Sequence, residues 1–349
     1  MSASQAGFPD ADALLQGRGS SNRLEAYVAG VAFAGTTCAF ALGDGTLRLI
    51  ELASREAWRT IEAHDGAALS FAGGPFFVSG GDDGKLQRIA LDGTLTTVGS
   101  FGSKWVEHVA TTAATPGKTL IAAGVGKTVH VFDASGVKLK ELAHQSTVTG
   151  VVFDAKGKRV CASHYNGASL WFVGAKIDSP RVLEWKGSHT GIVISSDGDC
   201  VVTAMQENAL HGWRLSDGQH MRMSGYPAKT RSMGFTRNGR WLATSGAESV
   251  VLWPFFGGGP MGKPPTELAG GDEGVLCARL ACHPQHDMIA AGFSDGLVVL
   301  ADVSSARVLP VAAPGRGSVS AMGWSADGAY LAFGTEDGFA AIVDLSKKK

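Results

Sequence analysis

The chain has 349 residues, with 31 Lys and Arg against 32 Asp and Glu, for a net charge of −1. So even a balance supplies no field to draw it to nucleic acid or to an anionic membrane surface. Apolar residues make up 44%, enough for a large core, while 18% charged residues and 48 glycines point to short strands joined by tight turns.

In chain order, the opening MSASQAGFPDADALLQ has neither the basic nor the apolar region of a secretory signal. Residues 1–12 are expected to be a flexible N-terminal segment. Ala26 to Leu42 is almost entirely apolar or small, but falls short of the roughly 20 residues of a membrane helix. Gly30, Gly35, Thr36 and Thr37 interrupt it, so two buried strands with a turn at Gly35-Thr36 are predicted instead. The five cysteines, Cys38, Cys161, Cys200, Cys277 and Cys282, are an odd number. They are expected to be free thiols of a cytoplasmic protein.

Eight polar turns then recur every 39 to 47 residues, centred on Asp44-Gly45, Asp83-Gly84, Gly126-Lys127, Asn166-Gly167, Asn208, Glu248, Asp295-Gly296 and Asp337-Gly338. The fourth repeat displays the grammar. A first strand over 147–153, a hairpin at Asp154 to Lys158, a second strand over 159–163, a turn at Asn166-Gly167, a third strand over 168–173 and an outer strand over 181–185 are predicted. A period near 40 residues built from strands and Gly-rich turns predicts a β-propeller. The prediction is an all-β, eight-bladed propeller of four-stranded antiparallel blades over 13–346, seven blades being the alternative. The last repeat lacks an outer strand, which a stretch within Leu14 to Glu25 is expected to supply. Residues 347–349, three lysines, read as a solvated basic tail.

The third strands end in an aromatic or apolar residue, often followed by an acid: Ile50-Glu51, Phe132-Asp133, Ala301-Asp302 and Val343-Asp344, with Trp at 171, 213 and 253. His64, His144 and His189 precede first strands. In period, turns and strand-ending aromatics the chain resembles the WD40-repeat β-propeller family over about residues 26–346, with degenerate repeats: Trp-Asp itself never occurs. The resemblance implies a hydrogen-bonded network in each blade. His144, Ser163 and Trp171 fit it in the fourth repeat, with Asn166 where the family places Asp. It also implies a rim that contacts peptides and proteins.

Little chemistry stands out. Gly117-Lys118-Thr119 and Gly126-Lys127-Thr128 lack the Gly that a phosphate loop needs five residues earlier, where Thr112 and Ile121 stand, and lie in strand-to-strand turns. Cys277, Cys282, His283 and His286 are the weak candidates for a metal site. The odd spacing of the two cysteines along one strand faces them to opposite sides, so core thiols beside a turn are the preferred reading. No catalytic or cofactor motif is read, and no cofactor is expected. His130 and His211 lie within third strands and are expected to pack or face outward.

The function expected is a non-catalytic scaffold or adaptor for protein or peptide partners, as a monomer or within a hetero-complex. The alternative is a propeller enzyme or metal-binding protein with its site at the channel mouth. Hot spots favour aromatic and Arg side chains. Candidates on the rim are Lys104, Trp105, Tyr165, Tyr226, Lys229, Arg231, Phe293 and Arg316. The long Gly- and Pro-rich stretch Phe255 to Pro265 is expected to be a loop without regular structure.

Overall fold

The computed structural model describes Phe8, residues 10–112 and residues 118–346. Most of the expected N-terminal segment, the tail 347–349 and Gly117 lie outside the described residues. The described chain holds a six-residue helix, Ala13–Arg18, and strands throughout the rest. Its contacts divide it into two units, 29–230 and 231–349 with 1–28.

In the 29–230 unit each repeat is an antiparallel meander. Val28–Ala34, Thr37–Leu42, Thr46–Glu51 and Trp58–Glu62 form the first sheet, so the apolar stretch from Ala26 is two strands as predicted. Ala68–Ala72, Phe77–Gly81, Lys85–Ile89 and Leu95–Ser100 form the second, and Val106–Thr111, Leu120–Val125, Thr128–Asp133 and Lys138–Ala143 the third. Burial follows composition. Thr37–Leu42 is buried at every position, as an uninterrupted apolar run requires when both faces are covered. The Lys- and Glu-bearing outer strand Lys138–Ala143 is mostly exposed, its charges guarding an open edge.

Counted as hydrogen-bonded sheets among the described residues, the blades number seven rather than the expected eight: six sheets have four strands and one has six. The exception spans the fourth and fifth repeats. Arg159–Phe172 and Arg181–Ile194 are 14 residues each, against five or six for most other strands. They stay extended where other repeats break, with only Asn166 (φ 68°), Gly167 (φ 139°) and Gly187 (φ 129°) marking the bends. Within this sheet Val148–Phe153 pairs with the first half of Arg159–Phe172, and Arg181 to Glu184 pair with its second half. The second half of Arg181–Ile194 then pairs with Cys200–Met205.

The other unit holds the remaining three sheets. Met233–Phe235, Trp241–Thr244, Ser249–Pro254 and Thr266–Gly270 form one; Cys277–Cys282, Met288–Phe293, Val298–Asp302 and Val308–Ala312 form the next. Val319–Trp324, Tyr330–Thr335 and Phe339–Asp344 receive their outer strand from the chain's start. Gly19–Arg23 pairs antiparallel with Phe339–Asp344, from Gly19 opposite Val343 to Arg23 opposite Phe339. The missing edge is thus covered from within the predicted stretch. Leu15 of the preceding helix buries itself beside Leu331, Phe333 and Val343. The expected flexible segment gives way already at Asp12, whose carboxylate accepts hydrogen bonds from the Ala313 N–H (2.7 Å) and from Arg316 Nη1 and Nη2 (2.9 and 2.5 Å).

The loop from Phe255 to Pro265 has no strand, as expected, but it is anchored. Phe255 packs edge-on against Phe235 at 5.0 Å and Phe256 against Trp241 at 5.1 Å. Arg240 lies over the Phe256 ring, and Lys263 Nζ donates to the Phe256 and Gly257 carbonyls. No helix among the described residues is long and apolar enough to cross a membrane.

Candidate protein-interaction site

The side chains that sequence singled out separate into framework and surface. His64 is framework. Its side chain is fully buried, with Nδ1 3.0 Å from Asp83 Oδ1 and Nε2 2.9 Å from Ser79 Oγ. Ile89 ends the third strand of that sheet where Trp stands in other repeats. His189 is likewise closed off, bonded to Thr203 Oγ1 (2.7 Å) and the Trp185 carbonyl (2.9 Å). The expected trio of the fourth repeat is only partly joined. Trp171 Nε1 donates to His144 Nε2 at 3.3 Å, whereas Ser163 shares its hydroxyl with Thr149. His211 packs, fully buried, under Trp185 with ring centroids 3.8 Å apart. Burial and the neighbouring His220 push its pKa down to about 3. His130 packs against Phe101 at 4.6 Å.

The acids that follow third strands are framework too. Asp133 Oδ1 accepts from the Ser135 and Val137 N–H groups, Asp302 Oδ1 from those of Ser304 and Ser305, and Asp344 Oδ1 from that of Ser346. The Ser135 hydroxyl with these amides holds the Asp133 carboxyl below the usual range, and the Ser305 amide and hydroxyl do the same for Asp302. Such carboxylates close turns.

The metal candidates do not converge. Cys277 is buried, Cys282 half-buried, and burial pushes both thiols up to about 12. His283 Nδ1 accepts from the Gln285 and His286 N–H groups, and Nε2–H donates to the Gly328 carbonyl at 3.1 Å. Among the described residues no group of three His, Cys, Asp or Glu is placed to hold a metal ion.

The predicted rim residues divide sharply. Trp105 and Tyr165 are each 55% exposed, and Lys104, Lys229 and Arg231 are exposed. Two are corrected: Phe293 is fully buried and Tyr226 is buried, so neither presents its side chain on the surface. Phe293 closes its strand facing the core, packed with Val250, Leu252 and Val299. Arg316 is corrected as well, because its guanidinium is held by Asp12 and lies 5.0 Å over the Phe339 ring. Five of the eight belong to the 29–230 unit and three to the other.

Of these residues only Tyr165 lines an open cleft of about 810 Å³ in the 29–230 unit. Three chain segments build it: Ala143 to Gln145 entering the fourth repeat, His164 to Trp171 around its second turn, and Pro180 to Lys186 in its outer strand. The turn holds because Asn166 and Gly167 adopt positive φ, and Asn166 Oδ1 accepts the Gly187 N–H at 3.3 Å. A Cβ on Gly167 would stand 2.0 Å from the Leu183 carbonyl oxygen, so only glycine fits there.

Inside the cleft, His144 donates Nδ1–H to the Leu142 carbonyl at 2.9 Å and accepts from Trp171. Burial, and the neighbouring His164, lower its pKa to about 4, so it is uncharged at neutral pH. His164 bonds the Tyr165 carbonyl and Ser169 Oγ, both at 2.9 Å. Both imidazoles therefore have their two nitrogens occupied. Around them stand Trp171, Trp185 and Tyr165, with Val182 51% exposed, and exposed Glu184 and Lys186 place one charge of each sign beside them. Sequence reading had Tyr165 but not Trp185, Val182 or His164. An outer-strand Trp and Val look like ordinary strand residues, and only their neighbours reveal the cleft.

Comparison with known proteins agrees with this architecture. Residues 280–349 match the Anaphase-promoting complex subunit 4 WD40 domain. The chain is 25% identical over 310 residues to Autophagy-related protein 16 of Arabidopsis thaliana, covering 85% of this chain and 59% of that protein. It is 26% identical over 277 residues to Serine-threonine kinase receptor-associated protein of Dictyostelium discoideum, covering 76% of this chain and 89% of that one. Among solved structures, the computationally designed Ika8 protein superposes with a TM-score of 0.75 at 18% identity, covering 93% of this chain and 98% of that one. The fold class is a β-propeller of antiparallel blades. More narrowly, the matched family domain and the two relatives support a WD40-repeat β-propeller, one in whose sequence the Trp-Asp dipeptide does not occur.

Proposed function

We propose that this protein is a non-catalytic scaffold that binds a protein or peptide partner, with the cleft around Tyr165 as its contact site. The observation that carries the reading is that cleft: three aromatic side chains and an exposed Val182 around imidazoles already tied to backbone and Trp171. An exposed Tyr165 beside a half-buried Trp185 in a concavity offers apolar area at low entropic cost, which suits recognition. Histidines with both nitrogens occupied are poor general bases. The names of the two relatives, one associated with autophagy and one with a kinase receptor, fit a role in assembly without naming a partner here. The free cysteines support a reducing, cytoplasmic setting.

The test is affinity purification from the native host with wild type and a Tyr165→Ala/Val182→Asp double variant. A partner recovered by wild type and lost by the variant is expected. The same partners at the same yield from both would remove the cleft from the reading.

A further inference from the structure

The 231–349 unit holds a cation without a counter-ion. Arg279 projects from Cys277–Cys282 just after a bulge in its pairing with Met288–Phe293. Its Nε donates to the Ser320 carbonyl at 2.6 Å, and Nη1 reaches the Arg231 and Ala278 carbonyls at 3.4 Å. Three successive sheets thus contribute backbone around one guanidinium. Arg231 lies close enough to disfavour its charge, and the Tyr27 phenol close enough to favour it. Neither Arg231 nor Arg279 has a carboxylate within 4.0 Å among the described residues. The nearby acid is Glu336, which acts at longer range and is itself exposed.

Two guanidinium groups against one distant carboxylate leave an excess positive charge in a half-buried place. Burial disfavours that charge, and an unpaired ion in such a position is costly unless something completes its shell. Carbonyls accept hydrogen bonds but do not neutralise. These backbone bonds engage Nε and Nη1 and leave Nη2 without a carbonyl partner. A guanidinium fork with donors to spare, next to a second Arg and a phenol, has the geometry that takes two oxygens of an anion.

We infer that Arg279, Arg231 and Tyr27 form an oxyanion site that takes a carboxylate or phosphate group, presented by a bound acidic peptide or free in solution. Arg279 supplies the fixed fork, ordered by the Ser320 carbonyl. Arg231, whose backbone is fixed by the Ser245 hydroxyl while its side chain is exposed, closes on the ligand. Tyr27, 42% exposed, offers a hydroxyl at the entrance.

The experiment titrates the full chain with inorganic phosphate and, separately, with an N-acetylated Glu-rich hexapeptide, by calorimetry at constant ionic strength. Wild type, Arg231→Gln and Arg279→Gln are compared. Arg279→Gln also removes the Ser320 bond and risks misfolding, so Arg231→Gln, which leaves every backbone contact in place, carries the decision. Loss of one charge-assisted bond predicts binding weakened about 10- to 100-fold in Arg231→Gln, and weakened further as chloride is raised. Saturable phosphate binding lost in the variant supports a site for free anion. Peptide binding alone, lost in the variant, supports a partner's acidic side chain. Equal affinity in wild type and Arg231→Gln, or no saturable binding of either probe up to millimolar concentration, overturns the inference and leaves Arg279 as a staple between sheets.

Discussion

Replacing Asp83 by alanine removes the acceptor at the centre of the second sheet's buried polar network. Oδ1 takes hydrogen bonds from His64 Nδ1 and the Lys85 N–H, each at 3.0 Å, and Oδ2 takes the Asp65 N–H at 3.2 Å. The His64 side chain is 0% exposed and that of Asp83 is 8%. After truncation the Asp65 and Lys85 amides are near enough to solvent to find water, but the His64 ring N–H is not. Stranding a buried donor costs about 1–3 kcal/mol, and breaking a buried pair about 3–5. A loss of about 3 kcal/mol is therefore expected, with about half of it for Asp83→Asn, which keeps one acceptor. Urea unfolding at pH 7 followed by Trp fluorescence measures it, the midpoint moving while the slope holds.

The pH dependence gives a second arm. Burial alone would raise the Asp83 carboxyl, but bonds from the Lys85 and Asp65 amides and from His64 outweigh it and lower it from the ordinary 3.8. A carboxyl depressed in the fold adds stability that is fully present above its unfolded pKa and is lost as pH falls through its folded value. The gap between wild type and Asp83→Ala should hold from pH 7 to about 4 and narrow below that. An alanine variant within about 0.5 kcal/mol of wild type, the range of ordinary surface changes, would refute the reasoning.

Phe293→Ala should lose about 3–5 kcal/mol as a fully buried aromatic, while Trp105→Ala, exposed, should stay within about 0.5 kcal/mol; urea unfolding of the two separates core from surface. Asp12→Ala frees Arg316 and the Ala313 amide, so limited proteolysis should cut within 10–18 faster than in wild type; unchanged cleavage would show the anchor to be idle. The thiols of Cys161, Cys277 and Cys282 are pushed up by burial to about 12 and that of Cys200 to about 11, with Cys38 raised as well. Iodoacetamide at pH 8 should leave the native chain unmodified over the time in which the unfolded chain takes up five labels, as counted by intact mass.

The repeat was legible because turn chemistry is local. Gly45, Gly84, Gly126, Gly167, Gly296 and Gly338 all take positive φ at the turns read from sequence, and the strands fall on the apolar runs between them. The covering strand near the N-terminus was legible from an edge left unpaired. What failed depended on one residue of register or on distant neighbours. Phe293 faces inward although the second turn carries exposed Tyr165 in another repeat, because alternation gives each strand end two faces that composition does not distinguish, and Tyr226 is buried in the loop after His220–Ser224. Arg316 was assigned to a partner because its actual partner, Asp12, is 304 residues away. The merging of the fourth and fifth repeats into one sheet rests on where extended backbone continues through Gly167 and Gly187. Glycine permits that and equally permits a break.

The same accounting bears on function. Asp83, Asp133, Asp302 and Asp344 bond their own turns, while His64, His144, His164, His189 and His283 have both ring nitrogens occupied. No Trp-Asp pair occurs in the sequence, and these histidines and acids are held by acceptors and donors of their own turns and strands. Among the groups left exposed are Tyr165, Val182 and Glu184 at one cleft, Trp105 and Lys104 at an entry loop, and Arg231 near Arg279. The proposed scaffold role expects complementary groups on another molecule at these positions. Under that proposed role interface energy concentrates in a few anchors, so single substitutions at Tyr165 or Arg231 are expected to release a partner while the blades stay folded.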